Sequence, residues 1–432
     1  MNAVGVALIG CGTVGSGVAR LLLEQPRRLA DRAGRPLVLK RIVVRDPAKP
    51  RGVELPRELL TTDVRLVLRD PEVQVGVELI GGLEPAREII LSLLAAGKDV
   101  VTANKAVLAR YGTEVFQAAH RLGRTVAFEA SVGGGIPIIA ALAQGLTANQ
   151  ITALKAILNG TSNFILTEMT EQGRSYGEAL AEAQRRGYAE ADPTLDVDGR
   201  DAAQKLALLA RLAFGIHVPP EAIERRGIDR LQQADLRFAG ELGYVIKLLA
   251  EAWLDEGQLA LHVEPTLLRR LDPLAQVRGA YNAIHLVGDA VGDTLYYGRG
   301  AGQMPTASAV VADLIDLAVG RAQLTFRSLR LWAADPTVTL RSPASIRSRC
   351  YLRINVEDRP GVLAEVAGIL GRHDISIASV IQKEALEEHN GVAVPVVIMT
   401  HPANLGQFRQ AVALIDRLPC VVAPSVHFPV AE

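Results

Sequence analysis

The segment from residue 187 to residue 205, GYAEADPTLDVDGRDAAQK, is the part of the chain whose residue types most clearly suggest chemistry. Its acidic residues are Glu190, Asp192, Asp196, Asp198 and Asp201. From Asp201 onward the sequence has helical spacing, which places Asp201 and Lys205 on one face of a helix. One interpretation is a solvated acidic loop followed by a salt bridge. The other is a polar pocket in which acids hold an ammonium group and a lysine transfers a proton.

A glycine-rich turn follows the first apolar segment of the chain. Gly10, Gly12 and Gly15 form the pattern G-x-G-x-x-G between a predicted strand and a predicted helix. The first glycine permits a tight turn, the second lets a pyrophosphate approach the backbone, and the third lets the helix pack on the strand. The free N–H groups of the helix would face the phosphates. The pattern therefore predicts a dinucleotide site that includes Thr13 and Val14.

The end of the second predicted strand, LVLKRIVVRD, bears on which dinucleotide binds. Arg45 suits the 2′-phosphate of NADP, whereas Asp46 suits the ribose hydroxyl groups of NAD. Because Arg45 ends the strand, the sequence slightly favours NADP(H) and leaves NAD(H) open. A surface charge without a ligand is an equal alternative for Arg45.

Composition narrows the class of protein. The 432 residues include 47 Lys and Arg and 47 Asp and Glu, so a formal net charge of zero favours neither nucleic acid nor a membrane surface. Cys11, Cys350 and Cys420 are too far apart in sequence to suggest a disulfide framework or a metal knuckle. The sequence shows no signal-like start and no apolar run that could span a bilayer. These features predict a soluble, cytoplasmic protein.

The order of apolar and helical segments predicts an α/β protein with three domains. Residues 1–134 alternate strand and helix patterns, as in a Rossmann-type doubly wound sheet. Residues 135–325 mix long helices with strands, which suggests an α+β substrate domain. The helix within 300–330 is expected to pack back onto the nucleotide domain, with Thr306 or Ser308 as its cap. Residues 349–427 follow the order βαββαβ.

Six motifs in sequence order resemble the homoserine dehydrogenase family. They are GCGTVGSGV, TANK, EASVGGGIPII, LNGTSNFIL, GYAEADPTLDVDGRDAAQK and GRGAGQMPTASAV. This family interconverts L-homoserine and L-aspartate 4-semialdehyde with NAD(P), on the route to threonine, methionine and isoleucine. The resemblance implies that the middle domain also serves dimerisation, in a dimer or a tetramer. A different small-substrate NAD(P) dehydrogenase and a non-catalytic nucleotide or amino-acid sensor are the alternatives.

The resemblance also implies roles for individual residues. Those expected to contact the substrate are Glu190, Asp196, Asp201, Gly160 and Thr161. Lys205 matches the lysine usually assigned the acid–base role, and Lys105 in TANK is a second candidate near the nicotinamide. A salt-bridged surface lysine is the alternative for Lys105, and a plain helix cap is the alternative for Thr161. Further residues expected to line the cofactor crevice are Thr102, Gly187 and Gly302.

In the family, the turn EASVGGGIPII binds a monovalent cation, Na⁺ or K⁺. The resemblance assigns this site to Glu129, Val132, Gly134 and Ile136, the last three through their carbonyl oxygens. Hard cations favour such oxygen ligands. The role would be structural, and from sequence alone Glu129 is simply an acid at the surface end of a strand.

The C-terminal βαββαβ segment resembles an ACT domain. Its DRPGVLA turn contains Asp358, Arg359, Pro360 and Gly361. ACT domains pair with each other and bind amino acids near this turn, so an amino-acid effector is expected. Pathway logic makes threonine the expected inhibitor. A dimerising module that binds nothing is the alternative.

Overall fold

The structure is a computed structural model. It describes residues 2–333, 338–382, 393–422 and 424–431. The predicted ACT segment therefore includes two stretches, 383–392 and 423, that lie outside the described residues.

The chain forms two compact units, each made of three stretches of sequence. The first unit comprises Met1–Gly160, Arg200–Ile223 and Ala280–Thr339. The second unit comprises Thr161–Gly199, Glu224–Gly279 and Leu340–Glu432. The chain passes repeatedly from one unit to the other, and the three predicted domains, the first of them discontinuous, stay a prediction.

The strands and helices are named in chain order. The strands are β1 (Val4–Ile9), β2 (Leu37–Val43), β3 (Leu60–Thr61), β4 (Val75–Glu78), β5 (Asp99–Thr102), β6 (Val126–Ala127), β7 (Ile151–Ile157), β8 (Glu224–Arg225), β9 (Tyr244–Asp255), β10 (Gln258–Arg269), β11 (Tyr281–Gly288), β12 (Gly292–Arg299), β13 (Thr339–Leu340), β14 (Arg347–Val356), β15 (Ile377–Gln382), β16 (Val394–Thr400), β17 (Ala403–Asn404) and β18 (Val426–Val430). The α-helices are α1 (Thr13–Glu24), α2 (Pro26–Ala33), α3 (Arg65–Arg69), α4 (Ala86–Ala95), α5 (Lys105–Arg121), α6 (Ile138–Ala140), α7 (Gly160–Gln172), α8 (Tyr176–Arg185), α9 (Thr194–Val197), α10 (Arg200–Phe214), α11 (Gln233–Glu241), α12 (Gln303–Val319), α13 (Arg321–Leu329), α14 (Val362–Arg372) and α15 (Leu405–Ile415).

The first unit is built on a six-stranded sheet with the order β3-β2-β1-β4-β5-β6. Neighbouring strands are all parallel, which confirms the predicted doubly wound sheet. The central strand β1 is buried along its whole length, as its continuous apolar sequence VGVALI requires. Register places Ile9, Glu78 and Thr102 side by side, so three strands end at one line on the carboxyl edge.

Helix α12 shares the core of this sheet with α1 and α2. The approach is close at Gly17, where an added Cβ would lie 2.9 Å from the Cβ of Ala307.

The prediction that Thr306 or Ser308 caps α12 was wrong. The helix begins at Gln303 after Gly302, whose φ of 114° suits glycine, and no side chain caps it.

An antiparallel group of strands, β7, β11 and β12, completes the first unit together with α10. The predicted strand ITALKAILNG ends as β7 at Ile157, and α10 starts at Arg200. Helix α10 packs against α5, and its apolar residues at helical spacing, among them Leu206 and Leu209, are buried. The end of β7 and the starts of α5 and α10 carry the polar residues described below.

In the second unit, β9 and β10 form a long antiparallel hairpin. β10 pairs with β18, and the order continues through β14 and β16 to β15. The elements β14, α14, β15, β16, α15 and β18 follow the predicted βαββαβ order around their own apolar core. Among the described helices, none combines the length and the apolarity needed to cross a bilayer.

Candidate active site

Asp201 lies between two lysines in the first unit. Its side chain is 9% exposed, with Oδ1 3.1 Å from Lys105 Nζ and Oδ2 2.8 Å from Lys205 Nζ. Asn159 donates a third contact from Nδ2 to Oδ2 at 2.8 Å. We call Lys105, Asn159, Asp201 and Lys205 the Asp201 cluster. The i,i+4 pair predicted from spacing is confirmed, and the burial of Asp201 does not fit a solvated acidic face.

The backbone just after β7 and the side chain of Asp201 hold Lys205 in place. Its Nζ donates to the carbonyl oxygen of Leu158 at 2.6 Å as well as to Asp201. The same carbonyl accepts a hydrogen bond from Asn282 Nδ2 at 3.0 Å. Because α10 begins just before Asp201, the two residues project from its first turns toward the end of β7.

Burial and charge act in opposite directions on Asp201. Burial alone would raise the pKa of its carboxyl group, because it disfavours the charged form. The charges of Lys205 and Lys105, with the hydrogen bonds from Lys205 and Asn159, outweigh burial and hold this pKa well below its usual range. Asp201 is therefore a carboxylate at neutral pH. It keeps two amino groups within reach of one site, where a proton could pass to or from a bound hydroxyl or carbonyl oxygen.

Lys105 enters the cluster from the carboxyl edge of the six-stranded sheet. It is the first residue of α5, which follows β5 at the carboxyl edge, where doubly wound folds bind ligands. Asn104 caps this helix by accepting from the backbone N–H of Val107 at 3.2 Å. The Lys105 side chain is 35% exposed, whereas Lys205 is 11% exposed. Because its partner Asp201 is buried, the ion pair of Lys105 differs from an ordinary salt bridge on the protein surface.

The glycine-rich turn has the backbone that its motif predicts. Gly10 has a φ of 101°, and a Cβ at Gly15 would lie 2.3 Å from the Gly10 carbonyl oxygen. A Cβ at Gly12 would meet no heavy atom within 4 Å, so this side of the turn is open. Helix α1 starts at Thr13, and its first N–H groups are available to a phosphate. These residues fit a dinucleotide.

Other predicted cofactor residues are placed as follows. Thr102 is fully buried, and its hydroxyl donates to Glu78 Oε2 at 2.6 Å, so its contact with a cofactor stays a prediction. Arg45 is exposed just beyond β2. Gly302 precedes α12, and Gly187 follows α8 with a φ of 73°. Gly302 belongs to the first unit and Gly187 to the second.

The second unit contains the remaining acids of the sequence motif. Glu190 is exposed, and Asp196 lies in the short helix α9, where its carbonyl oxygen accepts from Ser162 Oγ at 2.9 Å. Thr161 is not the cap of α7, because this helix begins at Gly160; its hydroxyl donates instead to the Tyr188 carbonyl oxygen at 2.7 Å. That bond ties α7 to the segment that leads to Glu190.

Glu129 is buried, and the expectation of a surface acid was wrong. Its carboxylate accepts from the backbone N–H groups of Ile139 and Ala140 at 2.9 and 2.7 Å. Its own N–H donates to Asp313 Oδ2 at 2.9 Å. Burial raises the pKa of Glu129 to about 7 despite these two hydrogen bonds, and the charge of Asp316 adds to the increase. Burial and the neighbouring Glu129 raise the pKa of Asp313 well above its usual range.

The loop after Glu129 contains the other residues predicted to bind a monovalent cation. Gly134 has a φ of 54° and lies against the backbone of Gly300. The Ile136 carbonyl oxygen accepts from the Ile138 N–H at 2.8 Å and keeps a second lone pair. In the described part of the chain, no three His, Cys, Asp or Glu side chains are arranged to hold a metal ion. The cation site at Glu129, Val132, Gly134 and Ile136 stays a prediction.

The predicted effector turn borders a pocket of about 190 Å³ in the second unit. Arg359, Pro360 and Gly361 line it together with Glu357 and Gln382. Arg359 Nε lies 3.1 Å from Glu357 Oε2. Gln382 Nε2 donates to Asp358 Oδ1 at 3.3 Å. An arginine and a carboxylate beside one pocket could bind the two charged groups of a free amino acid.

Comparison with known proteins identifies the family. The homoserine dehydrogenase profile matches residues 137–315, the profile of the homoserine dehydrogenase NAD-binding domain matches residues 10–129, and the ACT profile matches residues 351–417. A homoserine dehydrogenase from Pseudomonas aeruginosa is 44% identical, with 100% of each chain covered. The chain belongs to the homoserine dehydrogenase family.

Solved structures of homoserine dehydrogenases share this fold. The enzyme from Thiobacillus denitrificans is 42% identical with a TM-score of 0.88, and the match covers 100% of this chain and 99% of that chain. A hyperthermophilic archaeal homoserine dehydrogenase in complex with NADPH is 28% identical with a TM-score of 0.61, covering 73% of this chain and 97% of that one. As a member of the homoserine dehydrogenase family, the chain is an oxidoreductase with an NAD-binding domain and an ACT domain.

Sequence reasoning missed three side chains that shape the site. Asn159 and Asn282 support Asp201 and Lys205, and Glu78 supports the turn that leads to Lys105. Asn159 lies just before Gly160 in LNGTSN, so the motif contained a signal for it. Glu78 ends a buried apolar strand, and an acid in that position is itself unusual.

Proposed function

We propose that the protein interconverts L-homoserine and L-aspartate 4-semialdehyde with a nicotinamide dinucleotide. The observation that carries this proposal is the Asp201 cluster, in which one carboxylate holds two lysines beside the carboxyl edge of the nucleotide-binding sheet. Oxidising the terminal hydroxyl of homoserine requires removal of a proton from oxygen and of a hydride from carbon. A bound nicotinamide supplies the hydride acceptor.

Lys205 is the proposed acid–base residue, with Lys105 as its neighbour at the cofactor side. In oxidation, Lys205 in its neutral form accepts the hydroxyl proton as the C–H bond breaks and the C=O bond forms. In reduction, the protonated amine donates to the forming alkoxide. The contacts of Lys205 with Leu158 and Asp201 fix its Nζ, so that the proton moves along one direction. The charge of Lys105 favours the alkoxide in either direction.

The substrate's charged end requires a separate set of groups. We assign Glu190 and Asp196 to the ammonium group and Gly160 and Thr161 to hydrogen bonds with the polar groups of the substrate. Charge favours this assignment, since carboxylates attract an ammonium group. Gly160 itself packs closely on the protein backbone, since an added Cβ there would lie 2.9 Å from the Ala280 carbonyl oxygen, so its proposed role depends on the family resemblance.

NADP(H) is the proposed preferred cofactor, with NAD(H) as the weaker one. The exposed Arg45 is available to a 2′-phosphate, and the archaeal homoserine dehydrogenase at 28% identity was solved with NADPH. Residues that would hold the dinucleotide are Gly10, Gly12, Thr13, Val14, Gly15, Thr102, Lys105, Gly187 and Gly302. A Na⁺ or K⁺ ion at the carbonyl oxygens of Val132, Gly134 and Ile136 would stabilise the turn that follows Glu129.

The ACT domain is the proposed site of feedback inhibition by threonine in a homodimer or homotetramer. The pocket beside Arg359 and Glu357 offers partners for both charged groups of an amino acid. Arg353 of β14 forms an ion pair with Asp235 of α11, with exposures of 3% and 0%. Deleting the ACT domain would leave Asp235 buried without its partner, so a point substitution is the better test of regulation.

Steady-state kinetics with both cofactors, with and without threonine, tests the proposal. We expect homoserine-dependent reduction of the dinucleotide, with kcat/KM higher for NADP than for NAD. Threonine should inhibit the wild type, and Arg359→Ala should weaken that inhibition about tenfold without changing turnover, since one charge-assisted contact is lost. A chain without turnover on either cofactor would instead be a non-catalytic sensor.

A further inference from the structure

Glu78 is a fully buried acid at the point where three parallel strands end. It is the last residue of β4, in register with Ile9 of β1 on one side and Thr102 of β5 on the other. The donors to its carboxylate within the described part of the chain are uncharged: a hydroxyl, two backbone N–H groups and an amide. A buried carboxylate is costly to retain, so its presence in an otherwise apolar strand needs a reason.

The carboxylate joins two loops that are far apart in sequence. Oε1 accepts from the backbone N–H groups of Ile80 and Gly81 at 2.9 and 3.3 Å, in the loop after β4. Oε2 accepts from the Thr102 hydroxyl at 2.6 Å, in the turn after β5. Asn104 Nδ2 lies 3.5 Å from Oε1 and bridges the loops again by donating to the Gly82 carbonyl oxygen at 2.8 Å.

Both loops lie next to groups assigned to function. A Cβ at Gly10 would lie 2.8 Å from the Leu79 carbonyl oxygen and 2.9 Å from Ile80 Cγ2, so the first loop abuts the glycine-rich turn. In the second loop, the Thr102 hydroxyl accepts from the Asn104 N–H at 3.0 Å, and Asn104 caps the helix that starts with Lys105. Glu78 is therefore two hydrogen bonds away from the start of the Lys105 helix.

We infer that Glu78 is a positioning residue for hydride transfer, which fixes the glycine-rich turn and Lys105 relative to each other through the loops after β4 and β5. The inference rests on the proposed function. Glu78 acts through Thr102 and Asn104 and does not itself contact reacting atoms. A shift of one loop against the other would change the distance between a bound nicotinamide and the Asp201 cluster, and small misplacements of this kind slow reactions strongly.

The test is Glu78→Gln, with Asp99→Asn as the matched control. The glutamine keeps the shape of the Glu78 side chain but turns an NH₂ group toward hydrogen-bond donors. Asp99 suits the control because it is an acid at the opposite end of β5, where it accepts from the Thr125 N–H at 2.8 Å. For Glu78→Gln we expect kcat to fall about tenfold while KM for homoserine changes less than about threefold. Asp99→Asn should keep kcat within about twofold. Thermal unfolding of both variants shows whether a loss of stability accompanies the change.

A double-mutant cycle separates positioning from general destabilisation. Thr102→Val should lower kcat about threefold, and the double variant should be no slower than Glu78→Gln, because both act along one path. Thr102→Val also carries the test if Glu78→Gln does not fold. An unchanged kcat in a folded Glu78→Gln enzyme, an equal loss in Asp99→Asn, or additive losses would overturn the inference. Absence of turnover in the wild type would instead overturn the proposed function.

Discussion

Two lysines with nearly the same hydrogen bonds occupy different settings in the two units. Lys205 of the first unit donates to a backbone carbonyl oxygen, that of Leu158, and to the carboxylate of Asp201. Lys247 of the second unit also donates to a backbone carbonyl oxygen, that of Val277, and to the amide oxygen of Asn163 at 2.9 Å. The main difference is the second acceptor, which is charged in one case and neutral in the other.

Access to solvent and ligand, in addition to the acceptors, separates the two lysines. Burial lowers the pKa of Lys247 to about 8, because its neutral amide partner does little to offset the loss of solvation. Lys247 is nevertheless only 3% exposed, near the start of β9, and its two acceptors are uncharged. Lys205 and Lys105 share a carboxylate and lie where α5 and α10 begin. A lowered pKa alone therefore does not mark an acid–base residue; access to the ligand must accompany it.

The largest expected effect separates the two lysines directly. Lys205→Ala should lower kcat by about a hundredfold or more, the scale of a lost general acid–base group, with cofactor affinity nearly unchanged. Lys247→Met should keep kcat within about twofold, because it removes no group near the Asp201 cluster. Stopped-flow measurement of nicotinamide absorbance, together with cofactor titration, provides both values. Near-normal turnover of Lys205→Ala would shift the proton-transfer role to Lys105.

Asp201→Asn would make the surroundings of Lys205 resemble those of Lys247. We expect kcat to fall about tenfold, because Lys105 and Lys205 lose the anion that holds both. In homoserine oxidation, the limb of the pH–rate profile that reports the proton acceptor should move toward acid, since a lysine without an anionic neighbour loses its proton more easily. Rates measured from about pH 6 to about pH 10 provide the check. An unmoved limb would mean that Asp201 serves only in binding.

Much of the first unit was predictable from sequence, whereas the supports of the site were not. The glycine-rich turn and the Asp201–Lys205 pair depend on local spacing, and local spacing fixes their geometry. Asn159 contacts Asp201 across 42 residues, and the N–H of the buried Glu129 donates to Asp313 across 184 residues. Nothing in the neighbouring sequence specifies such contacts, so the burial of Glu129 was mispredicted.

The next prediction concerns stability at the second lysine. Because the pKa of Lys247 is lowered to about 8 in the folded state, the unfolded chain binds more protons between that value and the usual lysine range. The free energy of unfolding should therefore rise with pH across this window, by on the order of 1–2 kcal/mol between about pH 7.5 and about pH 9.5. Lys247→Met should lack this rise. Denaturant unfolding of both proteins at the two pH values measures this change in the free energy of unfolding. An equal change in the wild type and in Lys247→Met would contradict the lowered pKa of Lys247.

The smallest expected effect involves the buried acid of the cation turn, where the sign is opposite to that of Lys247. The pKa of Glu129 is raised to about 7, so the folded chain binds more protons than the unfolded chain between roughly pH 4.5 and 7. The free energy of unfolding therefore falls as pH rises through this range.

A bound Na⁺ or K⁺ ion would favour the ionised form of Glu129 next to the carbonyl ligands of the ion. Adding KCl at constant ionic strength, with tetramethylammonium chloride as the control, should therefore raise the unfolding temperature by a few degrees at about pH 8 and by less at about pH 6. Glu129→Gln should remove this pH dependence of the cation effect, because the glutamine does not titrate. An equal response to KCl and to tetramethylammonium chloride at both pH values would show that the turn holds no cation.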